Sequence, residues 1–404
     1  MGLMLLICII NKNDMEFTKA YNDLKKIFSL DKEVVSVDNS NIEIYSIPFK
    51  STSKLTVPSN GIDEQVYYQQ TIATNDEAIT ENMVFKYPVF VPKTNKTYSN
   101  AIILLHGLNE KSWLKYLPWA YYLTEKTNRP VILFPISFHM NRCPESWANP
   151  RSMMPLLSNR QKIKEVDMST FANVSLSQRL SDEPLRFFTS GRQSAEDIIN
   201  LLESIKRGDH PFLAQDAKID FFSYSIGAFL SEVMFLSNPK DLLSDSRLFM
   251  FCGGALFSEM YGTSRLIMDS HAYSNLRKYY LNEFIAELKV KTPFSEYIKK
   301  NSLGRAFFSM IAPENLKSFR EETLYRLRNQ IKIISLKNDK VIPSNYIEET
   351  FAGVKNKVKH MIDVLDFPFE YSHETPFPIL TNPNYVQVDQ CFERVFRPAV
   401  EFLK

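Results

Sequence analysis

From position 101 to the C-terminus, short apolar runs alternate with amphipathic stretches of helical period, and few architectures accommodate that alternation. The runs fall at 101–105, 131–134, 218–222, 247–252, 331–336 and 361–365. Most are apolar at nearly every position, as strands are when both faces of their sheet are covered. Between them, Ile198, Leu201, Leu202 and Ile205 share one helical face, and Gly208 is well placed to stop that helix. Leu316, Phe319, Thr323 and Leu327 make a second such face; Val388, Cys391, Phe392, Val395 and Ala399 make a third. The pattern predicts an α/β chain with a mostly parallel central sheet and helices on both faces. Ahead of it, 42–47 and 83–91 read as strands.

A core of that size needs apolar material, and 44% of the 404 residues are hydrophobic and 13% aromatic. Disorder over most of the length is excluded by that content. With 48 basic and 46 acidic residues, the net charge of +2 leaves no electrostatic footprint for nucleic acid. Cys8, Cys143, Cys252 and Cys391 stand far apart, in no metal-ligand or redox spacing. Cys252 and Cys391 read as small buried hydrophobes, a usage that suits a reducing compartment. Residues 2–10 are apolar but fall short of the roughly 20 needed to span a membrane. They also lack the basic flank and small-residue cleavage site of a secretory signal. The expectation is a cytoplasmic protein without stable membrane insertion, with export left open by that short segment and Met15 an alternative start to Met1. A homo-oligomer is compatible with everything above.

Two stretches are too long for plain connections. Residues 137–191 are rich in Pro, Met, Asn and Arg. Residues 259–313 read as short helices loaded with Met260, Tyr261, Leu266, Ile267, Met268, Tyr279, Tyr280, Phe284, Phe307, Phe308 and Met310. The division that follows has a partly helical N-terminal extension at 1–40 and a core at 41–258 and 314–404. That core carries the excursion 137–191, and 259–313 is inserted as a helical cap. Ligands bind at the carboxyl ends of strands in open sheets, so both insertions are candidates to cover a site. The apolar side chains of 259–313 are expected to line its pocket; otherwise they glue the insertion to the core or form a dimer contact.

The chemistry concentrates in Phe222-Ser223-Tyr224-Ser225-Ile226-Gly227-Ala228. A buried strand ends at Phe222 and an apolar helix begins after Ser225, so the turn between them would expose the Ser225 hydroxyl above the sheet. Such a turn crowds the positions two before and two after the serine, and these hold the small residues Ser223 and Gly227. A second strand, 101–105, runs directly into His106-Gly107-Leu108-Asn109.

These residues resemble the nucleophile elbow G-x-S-x-G and the oxyanion loop of the α/β-hydrolase superfamily, with Ser223 standing for the first glycine. The resemblance extends from about Met83 to the C-terminus. The runs Leu105-His106-Gly107-Leu108-Asn109-Glu110 and Phe134-Pro135-Ile136-Ser137-Phe138-His139-Met140-Asn141-Arg142 are similar to an uncharacterised bacterial branch of it. The resemblance implies an α/β-hydrolase fold and a cofactor-independent serine hydrolase acting on a small ester-like molecule (carboxylic ester, thioester or amide) through an acyl-enzyme. It implies Ser225 as nucleophile and the backbone N–H groups of Leu108 and Ile226 as the oxyanion hole. In the superfamily's order of nucleophile, acid and histidine, the base follows Ser225. His373, in a loop after the strand 361–365, is the well-placed histidine, whereas His271 falls in the cap and His360 at that strand's N-terminal end. Asp339, after the strand 331–336, is the expected orienting acid, with Asp366 and Asp269 as alternatives. His106 is expected to brace its loop. Tyr224, Asn109, His139 and Arg142 are candidate substrate contacts, although a braced loop accounts equally for His139 and Arg142. No metal or phosphate-loop signature occurs. The reading from another class is a non-catalytic binding protein on the same scaffold.

Overall fold

The computed structural model describes residues 16–53, 76–352, 361–379 and 384–404. The apolar run 2–10, with Cys8, and His360 lie outside the described residues. Nine strands form one sheet: β1 (Val34–Ser36), β2 (Ile42–Lys50), β3 (Val84–Pro92), β4 (Tyr98–Leu105), β5 (Val131–Leu133), β6 (Leu213–Tyr224), β7 (Leu248–Phe251), β8 (Ile331–Leu336) and β9 (Ile362–Leu365). Their order is β1-β2-β3-β5-β4-β6-β7-β8-β9. The pairs from β5 through β9 are parallel, and β1, β2 and β3 add an antiparallel edge.

The two-residue period of the strands divides the core in two. Ile103 and Leu105 of β4, Phe221 of β6 and Met250 of β7 point to one face, packed beneath the helices Arg186–Arg207 and Ile226–Ser237. Ile102, Leu104, Phe222, Phe249 and Phe251 point to the other, against Leu117–Thr127 and the final helix Tyr385–Leu403. Helices therefore cover both faces, and each such side chain contributes about 1.5–3 kcal/mol by leaving water. Among the described residues no helix is long and apolar enough to cross a membrane.

Two local features differ from the sequence expectation, and the stop at Gly208 agrees with it. β1 is an added edge strand, and the helix Phe17–Ile27 packs on the final helix, where Phe17 stacks on Phe392 with ring centroids 4.4 Å apart. The helix Phe17–Ile27 thus lies on the surface of the core. On the helix Lys317–Arg326 the buried positions are Arg320, Thr323 and Leu324, while Leu316 is exposed. Arg320 turns inward because the carbonyls of Ser309, Ala312, Pro313 and Asn315 all receive its guanidinium. Gly208 ends the helix Arg186–Arg207 at φ +82, a left-handed conformation suited to glycine.

Candidate active site

β6 ends at Tyr224 and the helix Ile226–Ser237 begins one residue later, leaving Ser225 at φ 56, ψ −120. A non-glycine residue held there is strained by about 1–3 kcal/mol, which the surrounding packing must offset. The need for small neighbours is visible at Gly227, where a Cβ would come within 2.8 Å of the carbonyl oxygens of Leu105 and His106. Ser223 fits because its buried hydroxyl lies 2.6 Å from that of Ser231, one helical face further on. Serine in place of the first glycine therefore brings its own hydrogen-bond partner.

The loops after β8 and β9 bring two more groups to this point. His373 Nε2 lies 2.6 Å from Ser225 Oγ, and its Nδ1 lies 2.7 Å from Asp339 Oδ2. The other carboxylate oxygen of Asp339 accepts the backbone N–H groups of Val341 and Ile342, both at 2.9 Å. All three residues are buried. The alternative acids are engaged elsewhere. Asp366 is bonded to Asn338 and Tyr371, while Asp269 caps the helix Ser270–Lys278 and pairs with Arg160.

The loop after β4 closes the arrangement. Gly107 donates its N–H to the Tyr116 hydroxyl at 2.9 Å, and the same loop is held by His106. His106 Nδ1 lies 2.8 Å from the Gly107 carbonyl, and its Nε2 accepts from the N–H of Ile136 at 2.9 Å. Burial keeps its pKa well below the ordinary histidine value, so it is a neutral brace. Ile226 is the first residue of its helix, and its N–H therefore has no partner within that helix.

Of the candidate substrate contacts, three have their polar groups bonded within the protein. Tyr224 is buried; its hydroxyl donates to the His373 carbonyl, and its ring stacks on that histidine. It holds the loop that carries His373 in place. Asn109 donates to the carbonyls of Ala172 at 2.9 Å and Leu266 at 2.7 Å, tying the two insertions together. Arg142 is 0% exposed and pairs with Asp197 at 2.8 Å, with further bonds to Asn82 and the Pro135 carbonyl. Its direction could not be read from its position after a strand. We expect Arg142→Ala to cost about 3–5 kcal/mol in urea unfolding, because Asp197 is left buried without its cation. Lost activity at unchanged stability would return Arg142 to the substrate contacts. His139, also buried, lines a cavity that shares Leu108 and Ile226 with the site, and Asn109 lines another that shares Leu108.

Residues 259–313 fold into short helices, among them Ser270–Lys278, Pro293–Lys300 and Ser302–Ser309. They are stitched to the excursion 137–191 by the Arg160–Asp269 pair, whose two bonds measure 2.7 and 2.8 Å, and by Asn173 to the Ser264 carbonyl. Under this joint cover an apolar cavity adjoins Ser225, walled by Leu108, Ile226, Met260, Ile267 and Met268. Phe187, which no periodicity singled out, also lines it. Phe308 lines neither this cavity nor the one beside His139, and packs against Phe284 instead.

No curated protein matches the chain. Among solved structures it is similar to a cold-adapted esterase from an Arctic intertidal metagenomic library, with a TM-score of 0.37 and 10% identity over 90% of this chain and 93% of that one. Carboxyl esterase 2 of the mycorrhizal fungus Tuber melanosporum gives 0.41 and 10% identity over 96% and 98%. A peroxisomal α/β-hydrolase of Saccharomyces cerevisiae gives 0.39 and 11% over 91% and 90%. One family model covers residues 15–404, and by that match the chain belongs to DUF6051, a family of unknown function.

Proposed function

We propose that this protein is a serine hydrolase on an α/β-hydrolase fold, cleaving an ester, thioester or amide bond of a small substrate through an acyl-enzyme. The observation that carries this reading is the continuous hydrogen-bonded line from Ser225 Oγ through His373 to Asp339 at the carboxyl ends of the parallel strands. Ser225 Oγ attacks the substrate carbonyl while His373 Nε2 takes its proton. The carbonyl oxygen, now negative, receives the N–H groups of Leu108 and Ile226. Fixed donors of that kind contribute about 3–4 kcal/mol each to the transition state. Collapse of the adduct expels the alcohol, thiol or amine, which leaves with the proton from His373. A water then attacks the acyl carbon while His373 takes one of its protons, and collapse breaks the bond to Ser225 Oγ, which recovers the proton from His373 as the acid leaves. Asp339 holds Nδ1–H in place and stabilises the imidazolium between these steps.

The strain of a serine held at φ 56, ψ −120 and hydrogen-bonded to His373 argues against the non-catalytic reading. Incubation with a fluorophosphonate probe, followed by peptide mapping, tests the proposal. The expected result is a single adduct on Ser225. No adduct, or one on another serine, overturns it.

A further inference from the structure

The cavity that Ser225 lines is small. It holds about 40 Å³, and a water needs about 10–15 Å³ on that measure, so about three waters would fill it. Met260, Ile267 and Met268 wall it from the cap, and the helix Ser270–Lys278 adds Tyr273 and Leu276. Ile267, Met268 and Leu276 are buried, so this wall is packed from behind. The cavity beside His139 does not lengthen it, because Leu108, Phe187 and Ile226 line both and divide them. The wall is tightest at Gly262. A Cβ there would come within 3.0 Å of the Tyr273 ring and 3.5 Å of the Met268 methyl.

The lining is also chemically plain. Among the described residues, Tyr273 brings its one polar side-chain group besides the Ser225 hydroxyl. That phenol is engaged: it donates to the Met260 carbonyl and lies 3.3 Å from the Arg277 guanidinium. A charged or amide-bearing group would leave water here and meet no partner. Leu108 and Ile226, whose N–H groups flank the substrate carbonyl in the proposed reaction, line this cavity, and His373 is not among its lining residues. The leaving group takes its proton from His373 and departs on that side, which leaves the acyl chain to the cavity.

We propose that the substrate's acyl group is a plain aliphatic one of about two to four carbons, its length limited by Met268 and Tyr273. The inference deepens the serine-hydrolase reading and rests on it. With the carbonyl carbon at Ser225 Oγ, only the carbons beyond it need room, and they replace the waters. Long fatty chains exceed that space. Peptide-like acyl groups exceed it too, and would bury amides that the wall cannot pair.

A series of p-nitrophenyl esters from acetate to octanoate tests the assignment. In wild type, kcat/KM is expected to peak between acetate and butyrate and to fall about 10-fold or more by hexanoate, the scale on which a pocket rejects one extra methylene. Met268→Ala removes the side chain beyond Cβ and should raise the hexanoate-to-acetate ratio about 10-fold. Gly262 lies outside the left-handed region, so alanine suits its backbone. Gly262→Ala sets a methyl against Tyr273 and Met268 and should lower the butyrate-to-acetate ratio several-fold. Wild-type preference for hexanoate or octanoate over acetate overturns the assignment, as do folded variants that leave both ratios unchanged. Alkyl acetates of rising alcohol length, followed by pH-stat, check which half of the substrate is confined. A steep fall among them, with none among the acids, gives the cavity to the leaving group and overturns the assignment as well. If neither variant folds, the two wild-type series decide. Long-chain preference in protein that a small fluorophosphonate labels sinks this inference alone. Protein that hydrolyses no ester and takes no label sinks the hydrolase reading and this inference with it.

Discussion

Ser225→Ala is expected to lower kcat for any ester substrate on the order of 10⁶-fold, to the level left by binding and the oxyanion donors. The protein should remain folded, because among the described residues the hydrogen bond lost is the 2.6 Å contact with His373. Ser225→Gly should be equally inactive yet more stable than wild type by about 1 kcal/mol, since φ 56 costs glycine nothing. Stopped assays with p-nitrophenyl acetate and thermal unfolding measure the two effects. Turnover by Ser225→Ala within tenfold of wild type would place the nucleophile elsewhere. An unstable Ser225→Gly would show that the turn is held by more than the conformation of one residue.

The next largest effect is expected for Asp339→Asn, a loss of about 10³–10⁴-fold in kcat with little change in stability. The reason lies in the two N–H groups of Val341 and Ile342. They demand an oxygen at one branch of the side chain, so the amide nitrogen of asparagine must face His373 Nδ1. Two donors cannot share that contact, and the imidazole moves its proton to Nε2, where it can no longer accept the proton of Ser225. Asp366→Asn should stay near wild type. If Asp339→Asn retains turnover within a few-fold, while Asp366→Asn or Asp269→Asn inactivates, the acid is misassigned.

Much of this arrangement is legible in the chain because parallel sheets put function in one place. Once 218–222 and 331–336 read as buried strands, the residues just beyond them must emerge at the same edge, and Ser225 and Asp339 are those residues. His373 follows from the same reasoning one strand further on. What stays hidden is direction. Tyr224, Asn109 and Arg142 all sit at or beyond strand ends, yet whether such a side chain turns toward Ser225, the core or a neighbouring loop depends on partners distant in the chain. Arg142 meets Asp197, and Asn109 meets Ala172 and Leu266. Phe307 and Phe308 are adjacent and equally apolar, but the helix turns about 100° between them, and only Phe307 lines the cavity beside His139. Arg320 reads as surface until its carbonyl partners are known. The edge strand β1 is three residues long with two of them exposed, too short for any period to register.

The helix Phe17–Ile27 docks on the final helix, where Thr18 is bonded to Asp389 across 371 positions. That contact has a consequence for synthesis. A ribosome adding about 5–20 residues per second needs roughly 20–75 s to travel between the two partners. Throughout that time the nascent chain carries the Phe17 side of its first helix without the surface that will cover it. The parallel strands must meanwhile pair around a face still missing its last helix. Chaperone dependence during translation, and recovery of less protein on rapid refolding than from slow expression, are what such a late closure of the chain onto its own beginning entails.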